Sequence, residues 1–187
     1  MKQVILPLLF LLPFAAKCQQ EASSKDSDVR KCKWGMTQAE VKAAESLAPY
    51  MVEKNKLYYK VEVDSYKFIL SYEFESEKLI RATLIYNETH INSQSYWNNF
   101  KRIAERMDGK YGEHTDLTKW SSDLFKQDER DYGFAVSNGD VSFHYAWYTD
   151  KTKISLIMSG EDYQVVLGVV YKDSNHETKE TEFKPKP

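Results

Sequence analysis

The chain of 187 residues lacks the features that mark several large classes of protein. Its two cysteines, Cys18 and Cys32, are too few for a disulfide framework and do not have zinc-finger spacing. Lys and Arg number 26 against 28 Asp and Glu, so the formal net charge of -2 gives no general attraction to nucleic acid or to an anionic membrane. The apolar run from residue 4 to 14 contains two prolines and is shorter than the ~20 residues of a membrane-spanning helix. We therefore expect no nucleic-acid partner and no transmembrane segment in the mature chain.

Catalytic and cofactor-binding motifs are also missing. The chain has no His-Glu-x-x-His zinc helix, no glycine-rich phosphate loop and no Gly-x-Ser-x-Gly nucleophile elbow. The histidines occur singly, at His90, His114, His144 and His176. His114 has acidic neighbours, but its place just after Gly112 is typical of a solvated loop. We expect no cofactor, no metal and no enzymatic activity, and an enzyme with an unrecognised site centred on His144 or His114 is the alternative.

The first 18 residues have the organisation of a secretory signal peptide. A positive start at Lys2 precedes the apolar run, and Ala16 and Cys18 place small residues where a signal peptidase reads them. We predict cleavage after Cys18 and export of the mature chain to the periplasm or the medium. Retention of Cys18 as a lipidated N-terminus is the weaker alternative, because Lys17 directly precedes it. Cys32 is then the one remaining cysteine, and its neighbour Trp34 favours a packed thiol over a reactive one.

Local patterns divide the mature chain into elements. Thr37 and Glu40 have the spacing of a capping box, which predicts a helix from about 38 to 48. Apolar residues alternate with polar ones from Tyr59 to Tyr86, which predicts three strands joined by short hairpins at 64–65 and 76–77. A stripe at helical spacing predicts a second helix over 93–111.

The remaining elements are strands. The pair Asn138-Gly139 predicts a hairpin between strands 134–137 and 141–148. Strands at 153–158 and 164–171 follow, separated by a turn at Gly160. The order α-βββ-α-βββ(β) predicts an α+β fold, with a mainly antiparallel sheet of six or seven strands and two helices on one face. We expect a flexible leader over 19–30, one domain over 31–171 and a disordered charged tail over 172–187.

The opening motif of the domain carries a family resemblance. Trp34-Gly35-Met36-Thr37, continued by Glu40-Val41, resembles the start of small exported proteins of Bacteroidetes type. The same Gly-Met-Ser/Thr cap is found in the outer-membrane assembly lipoprotein E family and in the β-lactamase inhibitor-like superfamily. The first resemblance implies a lipidated scaffold, and the second implies protein–protein inhibition through a concave sheet. The motif residues themselves, Trp34, Gly35, Thr37 and Glu40, are expected to be structural.

The aromatic share of 14% exceeds what two small helices need, and most of these residues share a strand face with Val, Leu and Ile. Four side chains have a phase or loop setting that favours exposure and a role in partner binding. They are Trp120, His144, Tyr148 and Tyr58. We therefore expect a non-enzymatic binding module for a secreted or cell-envelope protein, of unknown oligomeric state. Besides the enzyme, the other alternative is a carrier of a small apolar ligand between sheet and helices.

Overall fold

The computed structural model describes residues 27–176 and has an α+β architecture with one antiparallel sheet. Three α-helices and one short 3-10 turn accompany nine strands in this part of the chain. The helices are α1 (Gln38–Ala44), α2 (Gln94–Tyr111) and α3 (Tyr132–Ser137). The strands are β1 (Met51–Glu53), β2 (Lys56–Val63), β3 (Tyr66–Glu75), β4 (Lys78–Tyr86), β5 (Thr115–Asp116), β6 (Lys119–Trp120), β7 (Val141–Tyr148), β8 (Thr152–Glu161) and β9 (Gln164–Asp173).

The sheet consists of two meanders that join at its centre. Its order is β1-β2-β3-β4-β9-β8-β7-β5, so the last strand of each meander, β4 or β9, pairs with the other. The short strands β5 and β6 both pair with β7 on the edge that β8 leaves free, β5 at Tyr145 and Ala146 and β6 near Val141. Sheet β2-β3-β4-β9-β8-β7 is therefore a continuous surface of six long strands.

The helices and the sheet enclose one hydrophobic core. Because strand side chains alternate between faces, every second residue of the six long strands points into this core. Its largest fully buried side chains include Trp147, Tyr59, Tyr72 and, from α2, Phe100. The sheet side that faces the helices is thus densely occupied by aromatic and aliphatic groups.

The opening motif holds the chain against the sheet. At the start of α1 the Thr37 hydroxyl accepts the Glu40 N–H, and the Glu40 carboxylate accepts the Thr37 N–H. These two bonds confirm the predicted capping box. Gly35 has a φ of +82° and donates its N–H to the Leu79 carbonyl, while the Trp34 indole donates to the Thr152 hydroxyl at 2.9 Å. These contacts connect the opening motif to β4 and β8.

The α+β class and the mainly antiparallel sheet are confirmed, but the number of elements differs from the prediction. The described residues hold nine strands rather than six or seven, because β1, β5 and β6 are two- or three-residue pairings with no alternation to detect. They also hold three helices rather than two, and α1 ends at Ala44, before the predicted 48.

The segment predicted as a strand at 134–137 is instead the short helix α3. A tertiary contact decides this: a Cβ on Gly133 would lie 2.4 Å from the Gln94 backbone nitrogen, so only glycine allows α3 to meet the start of α2 this closely. The Gly133 N–H also donates to the Gln94 side chain at 2.9 Å. Asn138 and Gly139 then end α3. Helix ends and tight hairpins both favour Asn and Gly, so the pair alone does not distinguish the two.

The sequence predicts the turns of two of the four two-residue hairpins in the described residues. Asp64-Ser65 and Ser76-Glu77 have positive φ at both residues, as in type I′ turns, which confirms the β2–β3 and β3–β4 hairpins. The β1–β2 hairpin at 54–55 was not predicted, and the β8–β9 hairpin turns at Asp162-Tyr163 rather than at Gly160. Gly160 lies within β8, where an added Cβ would lie 2.5 Å from the Val136 carbonyl oxygen of α3.

The proposed signal peptide with its cleavage after Cys18, most of the leader and residues 177–187 of the tail lie outside the described residues. Within them, Val29 is buried and its backbone pairs with Cys32, and β9 continues to Asp173. Cys32 is fully buried, which confirms the packed thiol. No helix between residues 27 and 176 is long and apolar enough to cross a membrane.

Candidate functional site: an open sheet face

All three helices of the described residues pack on one side of the six-stranded surface, and the side chains of intervening phase point the other way. Glu45, just after α1, bonds to the inward-facing Tyr72, and Phe100 of α2 packs on Phe143. We call the opposite side the open face. Its central residues are Tyr58, Lys60, Ile69, Ser71, Thr83, Ile85, Val166, Gly168, Val170, Ser155, Ile157, Ser159, Ser142, His144, Ala146 and Tyr148.

Strand register arranges the open face in rows that cross the sheet. In one central row most side chains carry a hydroxyl group. The row runs through Tyr58, Ser71, Thr83, Val170, Ser155 and Ala146. The next is aliphatic, and it runs through Lys60, Ile69, Ile85, Gly168, Ile157 and His144. The three isoleucines are only half-buried, whereas their neighbours of opposite phase are buried. Ala146, Ser155, Gly168 and Val170 of the same two rows are buried, so the middle of the open face is largely apolar and only partly in contact with solvent.

A third row, the cationic row, borders this centre. It consists of Lys56, Glu73, Arg81, Lys172 and Lys153, which are cross-strand partners in that order from β2 to β8. The Glu73 carboxylate lies 3.3 Å from the Arg81 guanidinium and 3.9 Å from the Lys56 ammonium. Glu53, the β1 partner of Lys56, extends this row by a second carboxylate, so the row with Glu53 has a formal charge of +2, opposite in sign to the chain as a whole.

Three of the four predicted binding residues lie on the open face. Tyr148 continues the cationic row as the partner of Lys153 and is 59% exposed. The His144 Nε2 atom lies 3.1 Å from the Ser155 hydroxyl, within the centre of the face. Tyr58 is half-buried at the opposite edge and donates to Glu53; burial, and next this carboxylate, raise its pKa. His144 and Tyr148 both lie on β7, with Ala146 between them on the same face, and Tyr58 lies across the sheet from them.

The fourth predicted residue, Trp120, lies apart from these three. Its ring packs at 5.2 Å from Tyr132 and 5.8 Å from Phe143, between centroids, on the side of the sheet that carries the helices. Trp120 is half-buried in an aromatic cluster there. β6 thus contributes this side chain to packing on the helix side, and not to the open face.

His114 is placed differently from the expected solvated loop. Its Nδ1 lies 2.9 Å from an Asp108 carboxylate oxygen, and its ring stacks on Tyr145 at 3.8 Å. The Trp147 indole donates to the same carboxylate at 3.0 Å and to the Gly112 carbonyl. Asp108 thus ties the end of α2 to β7. Between residues 27 and 176, no group of three or more His, Cys, Asp or Glu side chains is arranged to hold a metal ion.

A buried polar cluster lies under α1, on the covered side. Glu45 has a side chain that is 1% exposed; it accepts the Tyr72 hydroxyl at 2.5 Å and the Arg30 guanidinium at 3.1 Å. Burial raises the pKa of Cys32 to about 11 and the pKa of Tyr59 to about 12, and it raises that of Tyr72 further. Glu45 thus joins Arg30, in the segment before α1, to Tyr72 of β3, and the cluster anchors that segment to the sheet.

Sequence reasoning missed the cationic row altogether. Its members are separated by up to 116 positions along the chain, from Lys56 to Lys172, and only the strand register brings them side by side. The available signal was the strand phase: Lys56, Glu73, Arg81 and Lys153 each lie next to a buried residue of opposite phase. Comparison with protein-family models, with curated proteins and with solved structures found no match. The function of the chain therefore has to be argued from the open face itself.

Proposed function

We propose that this protein is a non-enzymatic binding module, exported to the periplasm or the medium, that engages a protein of the cell envelope through the open face. One observation carries the proposal: a six-stranded surface has all its described helices on one side and leaves a row of half-buried isoleucines on the other. The outer face of a sheet with one wet side is ordinarily polar. An apolar centre on that side favours a role in contacting a partner.

The composition of the open face matches the anatomy of protein interfaces. These have an apolar, well-packed centre and a polar rim, with aromatic residues and arginine enriched. Here Ile69, Ile85 and Ile157 lie at the centre, and the cationic row and Tyr148 form one rim. Six strands at ~4.8 Å and four side-chain rows at ~6.7 Å span a surface of about 24 by 20 Å. That area supplies much of the ~800 Å² per partner that a specific interface buries.

The two alternative functions have less support. An enzyme centred on His114 would draw on its bond to Asp108, but that carboxylate also accepts the Trp147 indole and so has a packing role. A carrier would hold its ligand between sheet and helices, where the fully buried rings of Trp147, Tyr59 and Phe100 pack. A ligand between sheet and helices would have to displace these rings, whereas the open face can meet a partner without a change in the core.

Site-specific photo-crosslinking tests the proposal. A photoreactive amino acid is placed at Ile157 or Ser71, in the centre of the open face, and at Glu105, on the exposed side of α2, as the matched control. The protein is produced in its own cells and irradiated there. We expect a discrete adduct with one other protein from the two open-face positions and none from Glu105. Equal labelling from all three positions, or adducts from Glu105 alone, would contradict the proposal.

A further inference from the structure

We propose that an aromatic patch at one end of the sheet is a docking site for a basic segment of another protein. The patch consists of Leu124, Phe125, Phe134 and Tyr163, from the loop after β6, from α3 and from the turn between β8 and β9. It lies off the open face, so the inference does not depend on the proposed function and concerns a second surface.

The patch is contiguous and largely exposed. The Phe134 ring lies 5.3 Å from the Phe125 ring and 6.4 Å from the Tyr163 ring, between centroids. Leu124 is 76% exposed, Phe134 44% and Tyr163 73%. Single exposed apolar residues are normal on a protein surface, whereas a contiguous group of them is typical of an interaction site.

The backbone under the patch is held in place by tertiary contacts. The Tyr163 N–H donates to the Ser137 carbonyl at 2.9 Å. β8 passes so close to α3 that a Cβ on Gly160 would lie 2.5 Å from the Val136 carbonyl oxygen. The turn between β8 and β9 is therefore joined to the end of α3, and the rings of Phe134 and Tyr163 are placed together before a partner binds. Such preorganisation lowers the entropic cost of binding.

The turn itself does not account for the Tyr163 ring. Tyr163 has a φ of +63°, a conformation that bulky side chains rarely adopt. The turn at Asp64-Ser65 also has positive φ at both residues, with a serine in the place of Tyr163. A tyrosine is thus not needed to form the turn, and its exposed ring favours a role in contacting a partner.

The segments that carry the patch are strongly acidic. Residues 121–140 and 160–164 contain seven carboxylates and two basic groups, and Lys101 of α2 adds a third cation. Each cation is paired with a carboxylate: Lys126 with Asp123, Arg130 with Asp128 and Lys101 with Glu129. The two segments together with Lys101 have a formal charge of -4, against -2 for the whole chain.

Two of the remaining carboxylates stand beside the most exposed ring. Glu161 and Asp162 directly precede Tyr163, and both are exposed. Neither forms an ion pair with any residue between 27 and 176. The Tyr163 ring is therefore presented to solvent next to negative charge that a basic partner would neutralise.

A basic segment matches this combination of rings and carboxylates. Lys101 shows the arrangement within the chain, because its ammonium lies 5.5 Å from the centre of the Trp97 ring and pairs with the Glu129 carboxylate. Arg and Lys side chains of a partner would pack their stems on the patch and place their charges beside Glu161 and Asp162. The three rings span at most about 12 Å, which about four residues of extended chain cover. Nucleic acids and anionic lipids have the charge opposite to such a segment and are disfavoured.

A binding titration with two peptides of opposite charge tests the inference. The probes are fluorescent peptides of alternating Arg and Leu or of alternating Glu and Leu, followed by fluorescence anisotropy at two salt concentrations. The variant Leu124→Ser/Tyr163→Ser removes apolar surface and places at 163 the residue type that the turn at Asp64-Ser65 already holds. Its matched control, Leu47→Ser/Tyr50→Ser, changes the same residue types at exposed positions before β1.

A second pair of variants tests the charges. Glu161→Gln/Asp162→Asn removes both charges with little change in side-chain size, and asparagine tolerates the positive φ at position 162. Its control, Glu62→Gln/Asp150→Asn, makes the same change at exposed positions on β2 and in the connection between β7 and β8.

We expect the wild type and both controls to bind the Arg-Leu peptide with similar affinity, weakened by salt, and both patch variants to bind it at least about tenfold more weakly. Equal binding by patch and control variants, no binding of the Arg-Leu peptide, or equal binding of the two peptides would overturn the inference. Self-association that Leu124→Ser/Tyr163→Ser abolishes in sedimentation equilibrium would overturn it too, because the patch would then join two copies of the chain. None of these outcomes alters the crosslinking expected from Ile157 on the open face.

Discussion

Two adjacent residues of β8 give a direct physical test of which sheet side is core and which is open. Leu156 is fully buried against the helices, whereas Ile157 points to the open face and is half-buried. We compare Leu156→Ala with Ile157→Thr. Threonine keeps the branched Cβ that suits a strand, so the second change removes apolar contact without altering strand preference.

The expected magnitudes differ several-fold. Leu→Ala at a fully buried site loses the transfer free energy of the removed carbons and leaves a cavity, which together cost about 2–5 kcal/mol. Ile157 contacts the solvent and lies opposite Gly168 and His144, so its replacement should cost less than about 1 kcal/mol. For a chain of this size each kcal/mol lowers Tm by about 2–4 °C. Leu156→Ala at about 3 kcal/mol should therefore lower Tm by about 6–12 °C, and Ile157→Thr by a few degrees at most.

Urea unfolding followed by tryptophan fluorescence measures both variants, and unchanged m-values would show that the comparison is one of native-state stability. The two substitutions are neighbours on one strand, so effects on strand pairing are shared. Equal losses of stability would refute the reasoning, because they would mean that the open face is buried in the folded protein.

Three further predictions concern packing and ionisation. Gly133→Ala should lower Tm, since its Cβ would lie 2.4 Å from backbone at the start of α2; Gly109→Ala, with no atom within 4 Å, should leave Tm unchanged or raise it, and the reverse order would contradict the α2–α3 contact. Tyr72→Phe should cost about 1.5–3 kcal/mol in urea unfolding, because it removes a hydrogen bond to the buried Glu45 carboxylate; no loss would mean that the bond is absent in solution. In a chain starting at Gln19, Cys32 should not react with a thiol reagent at pH 8 until the protein unfolds. Its pKa is raised from about 9 to about 11, so its stabilising contribution is complete below pH 9 and is lost as pH rises toward 11, which urea midpoints across that range would show.

Elements with a strong period were predictable from the sequence. The 3.6-residue stripe of α2 and the alternation of β2, β3 and β4 were read correctly because burial imposes those periods on the residues. The helix α3 was not, since six residues carry too little periodicity and the deciding contact, between Gly133 and Gln94, joins distant parts of the chain. The same holds for β5 and β6, which exist through pairing with β7 alone.

The candidate site was accessible to sequence reasoning only in part. His144, Tyr148 and Tyr58 could be assigned to the outward phase of their strands, and the structure places them there. Trp120 could not, because the two residues of β6 show no alternation and its neighbours Tyr132 and Phe143 come from other elements. The cationic row depends on the β4–β9 pairing that joins the two meanders, and no local pattern encodes that pairing.

The most direct test of the account is whether the open face is covered in the cell. Ser71→Cys, in the centre of the face, and Glu105→Cys, on the exposed side of α2, are labelled with a maleimide in a Cys32→Ser background, once in purified protein and once in intact cells that produce it. The account predicts that both thiols react in the purified protein, while in cells Ser71→Cys is protected and Glu105→Cys is labelled as before. Equal labelling of Ser71→Cys in the two settings would contradict it, because an open face in the cell has no partner.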